Sequence, residues 1–239
     1  MKLDIVIPTL KRKDKLERTL ASIRCAITNS GSHVDAHIKV FYSDKEEYLN
    51  ISDESGWPWV KNFLLPEKEF RITDFWNDRL KESTADVFCY LTDDISLDKF
   101  CLANMEPAIN GMGFDGVLGF RIENITEREQ PCLASFGVIG LKYADRFIDR
   151  KVFCPDYCSL FADMEFQRQA EALGKFKFVP ECSLVHYHPN YMLAGNDSTH
   201  KHYRRNDSMD RKTFELRSKR NLIWGLNPEL INNQEKVNA

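Results

Sequence analysis

Two adjacent carboxylates, Asp93 and Asp94, close a short apolar run in the segment DVFCYLTDDISL, residues 86–97. Val87, Phe88, Cys89, Tyr90 and Leu91 form a continuous β-prone stretch of the kind buried on both faces in a parallel sheet. Open α/β sheets bind ligands beyond the carboxyl ends of their strands, so the pair is expected at a ligand-binding edge. Two carboxylates there suit a hard divalent cation, which takes oxygen ligands and often shares them with substrate phosphates. The alternative is a strand followed by an Asp-rich turn that caps the next helix.

A second acidic pair, Asp163 and Glu165, stands just before a helical pattern with Phe166, Ala170 and Leu173 on its apolar face and Gly174 at its end. Asp163 as N-cap with Glu165 in the first turn, where negative charge is favoured, is one reading of this pair. Proton transfer by one of the carboxylates is the other.

The elements that must carry these residues alternate. Leu3 to Ile7 is a strand stopped by Pro8, with Pro8-Thr9-Leu10 as the turn out of it. A helix follows, with Asp14 as its cap, Glu17 three residues on, and Leu16, Leu20, Ile23 and Ile27 on one face. Asn29-Ser30-Gly31 ends it, and Ala36 to Tyr42 is a second strand that finishes at Ser43-Asp44. A right-handed crossover makes the two strands parallel neighbours and places Thr9 and Asp44 on the same edge as Asp93. Residues 45–70 show no convincing period and read as an insertion or long loop, in which Trp57 and Trp59 are either packing residues or a sugar-stacking platform. Thr73 or Asp74 opens a helix through Ser83 with Phe75, Trp76 and Leu80 inward; residues 115–120 and 135–141 read as further strands.

At 239 residues the chain can bury one sizeable core. With 43% apolar residues, 29% charged and a net charge of -3, nothing global marks a nucleic-acid or membrane surface, so such a partner would need a local patch. Met1 and Lys2 lead straight into the first strand, and no apolar run approaches the ~20 residues of a transmembrane segment, which reads as a cytoplasmic chain. Seven scattered cysteines fit a reducing compartment. Cys154, Cys158, Cys182 and His186 have a spacing that a structural zinc could use, although separate buried cysteines are the commoner arrangement.

Three segments resemble the nucleotide-sugar glycosyltransferases of the GT-A fold, especially glycosyltransferase family 2. DIVIPTLKRKDKLERTLASI is similar to the family's first strand, Pro-Thr turn and first helix. Asn77 lies fifteen residues before Thr92-Asp93-Asp94, the family's spacing from an Asn to its acidic box. FADMEFQRQAEALGKFKFVPECSLVHYHP is similar to its acidic motif, Ala-Gly helix end, Val-Pro strand and the His that closes a metal site. The resemblance implies a Rossmann-like α/β fold with a mainly parallel sheet over residues 1–190, followed by a short helical, basic extension, 191–239, that packs on or closes over the active site. It implies a nucleotide-sugar subsite that includes Pro8, Thr9, Asp44, Asn77, Arg79 and Asp93, and transfer to an acceptor hydroxyl from a nucleotide diphosphate sugar.

A divalent ion bridging the two phosphates would act as a Lewis acid on the leaving group. Asp94 is the candidate ligand, while Asp93 points elsewhere on an extended backbone and suits the ribose or a metal-bound water. His186 or His188, on one face of a strand over residues 179–188, could complete the shell, position favouring His186; otherwise the two are partly exposed histidines beside Tyr187. An imidazole ligand tilts the ion from Mg2+ towards Mn2+. By resemblance Asp163, in the acidic motif with Glu165, is the general base of an inverting transfer. The chain departs from the family at Thr92 for the first acid of the box, Ala162 for a Glu, and Arg79 for a Gly. Gly137, Gly140 and Lys142 lie where the family places a donor-sugar and acceptor loop.

Beyond Asn190 the chain turns basic, with eight Lys or Arg against three acids between Thr199 and Arg220. A solvated helix face accounts for such runs, and so does a tail that folds over a diphosphate or grips a polyanionic acceptor. Acceptors open to this chain are a glycan, a lipid-linked sugar, a protein or the modified bases of DNA. A catalytically degenerate member of the fold that only binds nucleotide or carbohydrate is the non-enzymatic alternative, motivated by Thr92 and Ala162.

Overall fold

The computed structural model describes residues 1–53, 58–66, 70–126, 130, 132–189, 195 and 198–226. The strands are β1 (Lys2–Thr9), β2 (Asp35–Tyr42), β3 (Val60–Leu64), β4 (Val87–Tyr90), β5 (Ile95–Leu97), β6 (Val117–Ile122), β7 (Gly137–Gly140) and β8 (Phe176–His186). The helices are α1 (Lys13–Asn29), α2 (Lys45–Asp53), α3 (Ile72–Glu82), α4 (Cys101–Gly111), α5 (Leu141–Ala144), α6 (Ala162–Ala172) and α7 (Ser198–Lys219). The strands form one sheet in the order β3-β2-β1-β4-β7-β6-β8-β5.

Strand parity sorts the core onto the two faces of this sheet, because alternate side chains point to opposite sides. Leu3, Ile5, Ile7, Val87, Cys89 and Leu91 belong to one buried cluster, together with Leu16, Leu20, Ile23 and Ala26 of α1 and Leu102, Met105 and Ile109 of α4. Val6, Phe88 and Tyr90 belong to the other, with Phe75, Trp76 and Leu80 of α3 and Phe166 and Ala170 of α6. The continuous apolar runs of β1 and β4 are therefore covered on both faces.

β1 pairs in parallel with both β2 and β4, which brings Thr9, the Ser43-Asp44 turn and Asp93 to one edge. The expectation of a mainly parallel sheet describes this half. Beyond β4 the sheet is mixed, because β7 runs antiparallel to β4 and β6, and β5 runs antiparallel to β8. Two glycines of β7 serve backbone packing: a Cβ on Gly137 would collide with the carbonyl oxygen of Leu118, and one on Gly140 with that of Phe114. With Lys142 they lie in β7 and α5, outside the cleft described below.

Several local expectations are corrected. Asp14 does not cap α1; the helix starts at Lys13 after Arg12, and Asp14 sits in the first turn. Residues 45–70 are not a long loop, since they contain α2 and β3. Asp44 caps α2 by accepting the Glu47 backbone N–H at 2.9 Å, a D-x-x-E spacing visible in the sequence. Trp59 packs against the core with Arg24 5.8 Å over its ring; Trp57 lies outside the described residues. β8 ends at His186, so His188 stands beyond the strand. The zinc spacing does not converge: Cys154 packs with Tyr157 and Ala162, whereas Cys182 is in the core and donates to the Cys101 carbonyl. Among the described residues no helix is long and apolar enough to cross a membrane.

Candidate active site

The edge where β1, β2 and β4 end opens into a cleft of about 390 Å³. Pro8, Thr9, Asp93, Asp94, Asp163, His186 and His188 all line it, so residues scattered over 180 positions of the chain meet in one space.

Asp93 and Asp94 are both buried, and each oxygen of the pair meets a donor. Thr9 Oγ1 donates to Asp93 Oδ2 at 2.8 Å, and Arg12 Nη1 donates to Asp93 Oδ1 at 2.8 Å and to Asp94 Oδ2 at 3.3 Å. Thr92 Oγ1 donates to Asp94 Oδ1 at 2.7 Å, and His186 Nε2 lies 3.5 Å from that same oxygen. The departure at Thr92 thus anchors its acidic neighbour. The backbone beneath is fixed as well: Thr19 Oγ1 of α1 donates to the carbonyls of Asp93 and Ile95, and the Tyr187 N–H donates to the Asp94 carbonyl.

Burial pushes the Asp93 carboxyl up to about 6, against the pull of Arg12 and with the charge of Asp94 adding to the rise. Asp94 is buried to the same degree, but His186 and Arg12 outweigh that penalty and hold its carboxyl well below the usual carboxylate range. Two adjacent carboxylates with pKa values driven apart mark a site built around charge.

The fit of a divalent ion can be judged from these donors. Asp94 Oδ1 and His186 Nε2, 3.5 Å apart, have about the separation of two ligands sharing one ion. The backbone of His186 is held by Asn124, whose side chain accepts the His186 backbone N–H at 2.9 Å and donates to its carbonyl at 3.0 Å, and the imidazole packs edge-on against Phe136. The donor set fits with substrate oxygens completing the shell; among the described residues there is no group of three His, Cys, Asp or Glu that could hold the ion alone. The His188 ring lies 5.1 Å from that of His186.

The other part of the cleft is made by residues 153–163. Asp163, in the first turn of α6, accepts from Ser135 Oγ at 2.8 Å through Oδ2 and from the Met164 N–H at 2.9 Å through Oδ1. Phe153, Ser159, Leu160 and Ala162 line the cleft beside it, over a floor that includes Trp76 and Tyr90.

Four of the expected site residues are placed differently. Glu165 is fully buried away from the cleft, where it accepts from Tyr157, from two nitrogens of Arg217 and from the Trp224 N–H. Asn77 exchanges two hydrogen bonds with the Phe153 backbone, at 2.8 and 3.0 Å, and so supports the 153–163 wall from outside. Arg79 pairs with Glu82 and stands over the Phe41 ring. Asp44 pairs with Lys11 at 3.1 Å beside its capping role. Arg12 and Ser135 are among the cleft residues that sequence reasoning passed over. Arg12 had a faint signal in the basic triplet Lys11-Arg12-Lys13 straight after the Pro-Thr turn; Ser135 had none.

No protein-family model and no curated protein matches the chain in sequence. In three dimensions it is similar to S. aureus TarS. Against the crystal structure of TarS 1–349 the TM-score is 0.62 at 14% identity, with 89% of this chain and 73% of that one covered. Against TarS 1–349 in complex with UDP-GlcNAc it is 0.59 at 14% identity, with 87% and 65% covered. In the complex of TarS 1–349 with UDP it is 0.57 at 14% identity, with 77% and 59% covered. The chain spans 45% of the longer TarS chain. The likeness shows the fold, a GT-A-like α/β arrangement.

Proposed function

We propose that this chain is a glycosyltransferase of the family 2 type, which moves a sugar from a nucleotide diphosphate sugar to an acceptor hydroxyl with inversion. The observation that carries the proposal is the joining, in one cleft, of the buried Asp93–Arg12–Asp94–His186 array to a separately held carboxylate, Asp163. Crystal complexes of the similarly folded TarS with UDP and UDP-GlcNAc support a nucleotide-sugar donor.

The step balances with the residues present. The acceptor oxygen attacks the anomeric carbon, the bond from that carbon to the diphosphate oxygen breaks with its electron pair going to the diphosphate, and Asp163 takes the acceptor proton. Ser135 holds Asp163 Oδ2, which orients the carboxylate. Mn2+ or Mg2+ would be held by Asp94 and His186, and when bound would supply Lewis-acid stabilisation of the departing diphosphate. Arg12 pairs with both Asp93 and Asp94, which holds the two in place and opposes the effect of burial on their charge. The buried free cysteines suit a reducing compartment such as the cytoplasm.

A thermal-shift panel of UDP, GDP, CDP and dTDP, each with Mn2+ and with chelator, tests the proposal. Ligand at a hundred times its Kd adds about 2.7 kcal/mol, a rise of roughly 5–10 °C for a chain of this size. One nucleotide should stabilise the protein in a Mn2+-dependent way; a panel with no shift would remove the donor site and the proposal with it.

A further inference from the structure

The function above uses no residue of α7, yet α7 carries a buried ionic network. Arg217 donates to Glu165 through Nε at 2.8 Å and Nη2 at 2.7 Å, and to Asp156 at 2.8 Å. One turn of the cleft wall depends on an acid of the same helix. Asp210, with no exposed surface, accepts the backbone N–H groups of Cys158 at 2.9 Å, Ser159 at 2.9 Å and Leu160 at 2.8 Å. Three successive amides converge on one carboxylate, the way a helix N-terminus or nest holds an anion, except that here the anion belongs to the chain.

The segment so held is strained. Phe161 has φ 64°, a left-handed conformation that is an outlier for a bulky side chain and persists only where its surroundings over-determine it. Those surroundings come from α7: the Phe161 ring stacks on Phe214 at 5.2 Å, Arg211 stands 5.1 Å over it, and Asp210 holds the residue before it. Phe161 is also the residue from which α6 starts, so its conformation sets where Asp163 stands two residues later. The opposite side of the segment is tied to α3, where Thr73 Oγ1 donates to the Tyr157 carbonyl at 2.7 Å and the Ile72 N–H to that of Cys158 at 2.9 Å.

We propose that Asp210 is a positioning residue of the active site: by collecting the amides of residues 158–160 it holds Phe161 in its left-handed conformation and so places the cleft wall and Asp163. The inference rests on Asp163 acting in the proposed transfer. It makes the described part of α7 a support behind the acceptor-side wall rather than a basic cover for the diphosphate.

The test is amide hydrogen exchange on the full chain, comparing wild type with Asp210→Ala and Asp210→Glu, beside binding and turnover of the sugar donor whose nucleotide stabilises the wild type. In Asp210→Ala, peptides covering residues 156–164 should exchange at least tenfold faster while those covering β1 and β4 keep the wild-type rate. Nucleotide affinity should stay within twofold, kcat should fall at least tenfold, and Asp210→Glu should recover part of both losses. Unchanged exchange at 156–164, faster exchange spread equally through the strands, or a loss of nucleotide affinity as large as the loss in kcat would each overturn the proposal. Should Asp210→Ala not fold, Asp210→Asn, which keeps one acceptor oxygen, carries the same comparison. A wild type that binds none of the four nucleotides would end the transfer reading by itself, and the exchange measurement would still decide whether Asp210 fixes the wall.

Discussion

The two parts of the cleft are organised by opposite means. At the sheet edge the groups proposed to bind the donor hold one another: Thr9, Arg12, Thr92 and His186 all converge on the carboxylates of Asp93 and Asp94. In the wall at residues 153–163, the groups that would meet an acceptor are placed from behind, through backbone anchored by Asn77 and Thr73 of α3 and Asp210 of α7. Substitutions at the edge should therefore change binding and stability together. Substitutions in the wall should separate them from turnover.

The sharpest contrast is between the two functional carboxylates. Asp163→Asn should retain nucleotide binding and lose turnover by about 10²- to 10⁴-fold, the usual contribution of a general base, in a steady-state assay of donor consumption. Asp94→Asn should instead weaken Mn2+-dependent nucleotide binding by about a hundredfold in titration calorimetry, since it removes the charge of the carboxylate facing His186. If both variants lost binding equally, the division of the cleft into two parts would be wrong.

Arg12→Met should expose the cost of a charge array without its cation. Two buried carboxylates would be left side by side, for a loss of about 3 kcal/mol, or a fall in Tm of roughly 6–12 °C. Arg12→Lys should recover part of it, since an ammonium restores the charge but not the guanidinium geometry that lets Nη1 reach both acids.

Asp93 makes a pH-dependent version of the same test. Its folded pKa of about 6 lies above the ordinary carboxylate value, so the folded state is favoured by protonation. Its contribution is largest below about pH 4 and is lost as pH rises through about 6, a change of about 3 kcal/mol. Relative to Asp93→Asn, the wild type should lose stability between pH 4 and 6.5 in thermal melts and then stay level. The smallest effect is expected at Arg79→Ala, which should leave nucleotide affinity within twofold, because that side chain pairs with Glu82 outside the cleft.

Much of the edge was legible in the sequence. The runs Leu3–Ile7 and Val87–Leu91 with acids or a Pro-Thr turn behind them specify buried parallel strands with polar ends, and Thr9, Asp93 and Asp94 follow from strand direction. Asp163 and His186 were reachable through resemblance alone, since their spacing allows a cap and an idle histidine equally well. Glu165 shows the limit: two residues from Asp163 in an acidic motif, it is turned by the helix into the interior to pair with Arg217. The α2 and β3 segment was missed because its apolar residues are few, though the Asp44-Glu47 spacing announced the helix.

Alternation, helical spacing and turn residues are properties of neighbours along the chain, and they were enough to determine the first three strands expected, the helices α1 and α3, and the edge at which the acids stand. Arg12 and Asp210 were decided only by tertiary structure. Arg12 meets Asp93 across 81 positions of sequence, and Asp210 meets the Cys158 amide across 52. Before folding, each is one more charge in a basic turn or a basic tail. What gives them a role is burial beside a partner brought from far along the chain, where a charge must be paired and a backbone N–H must be satisfied.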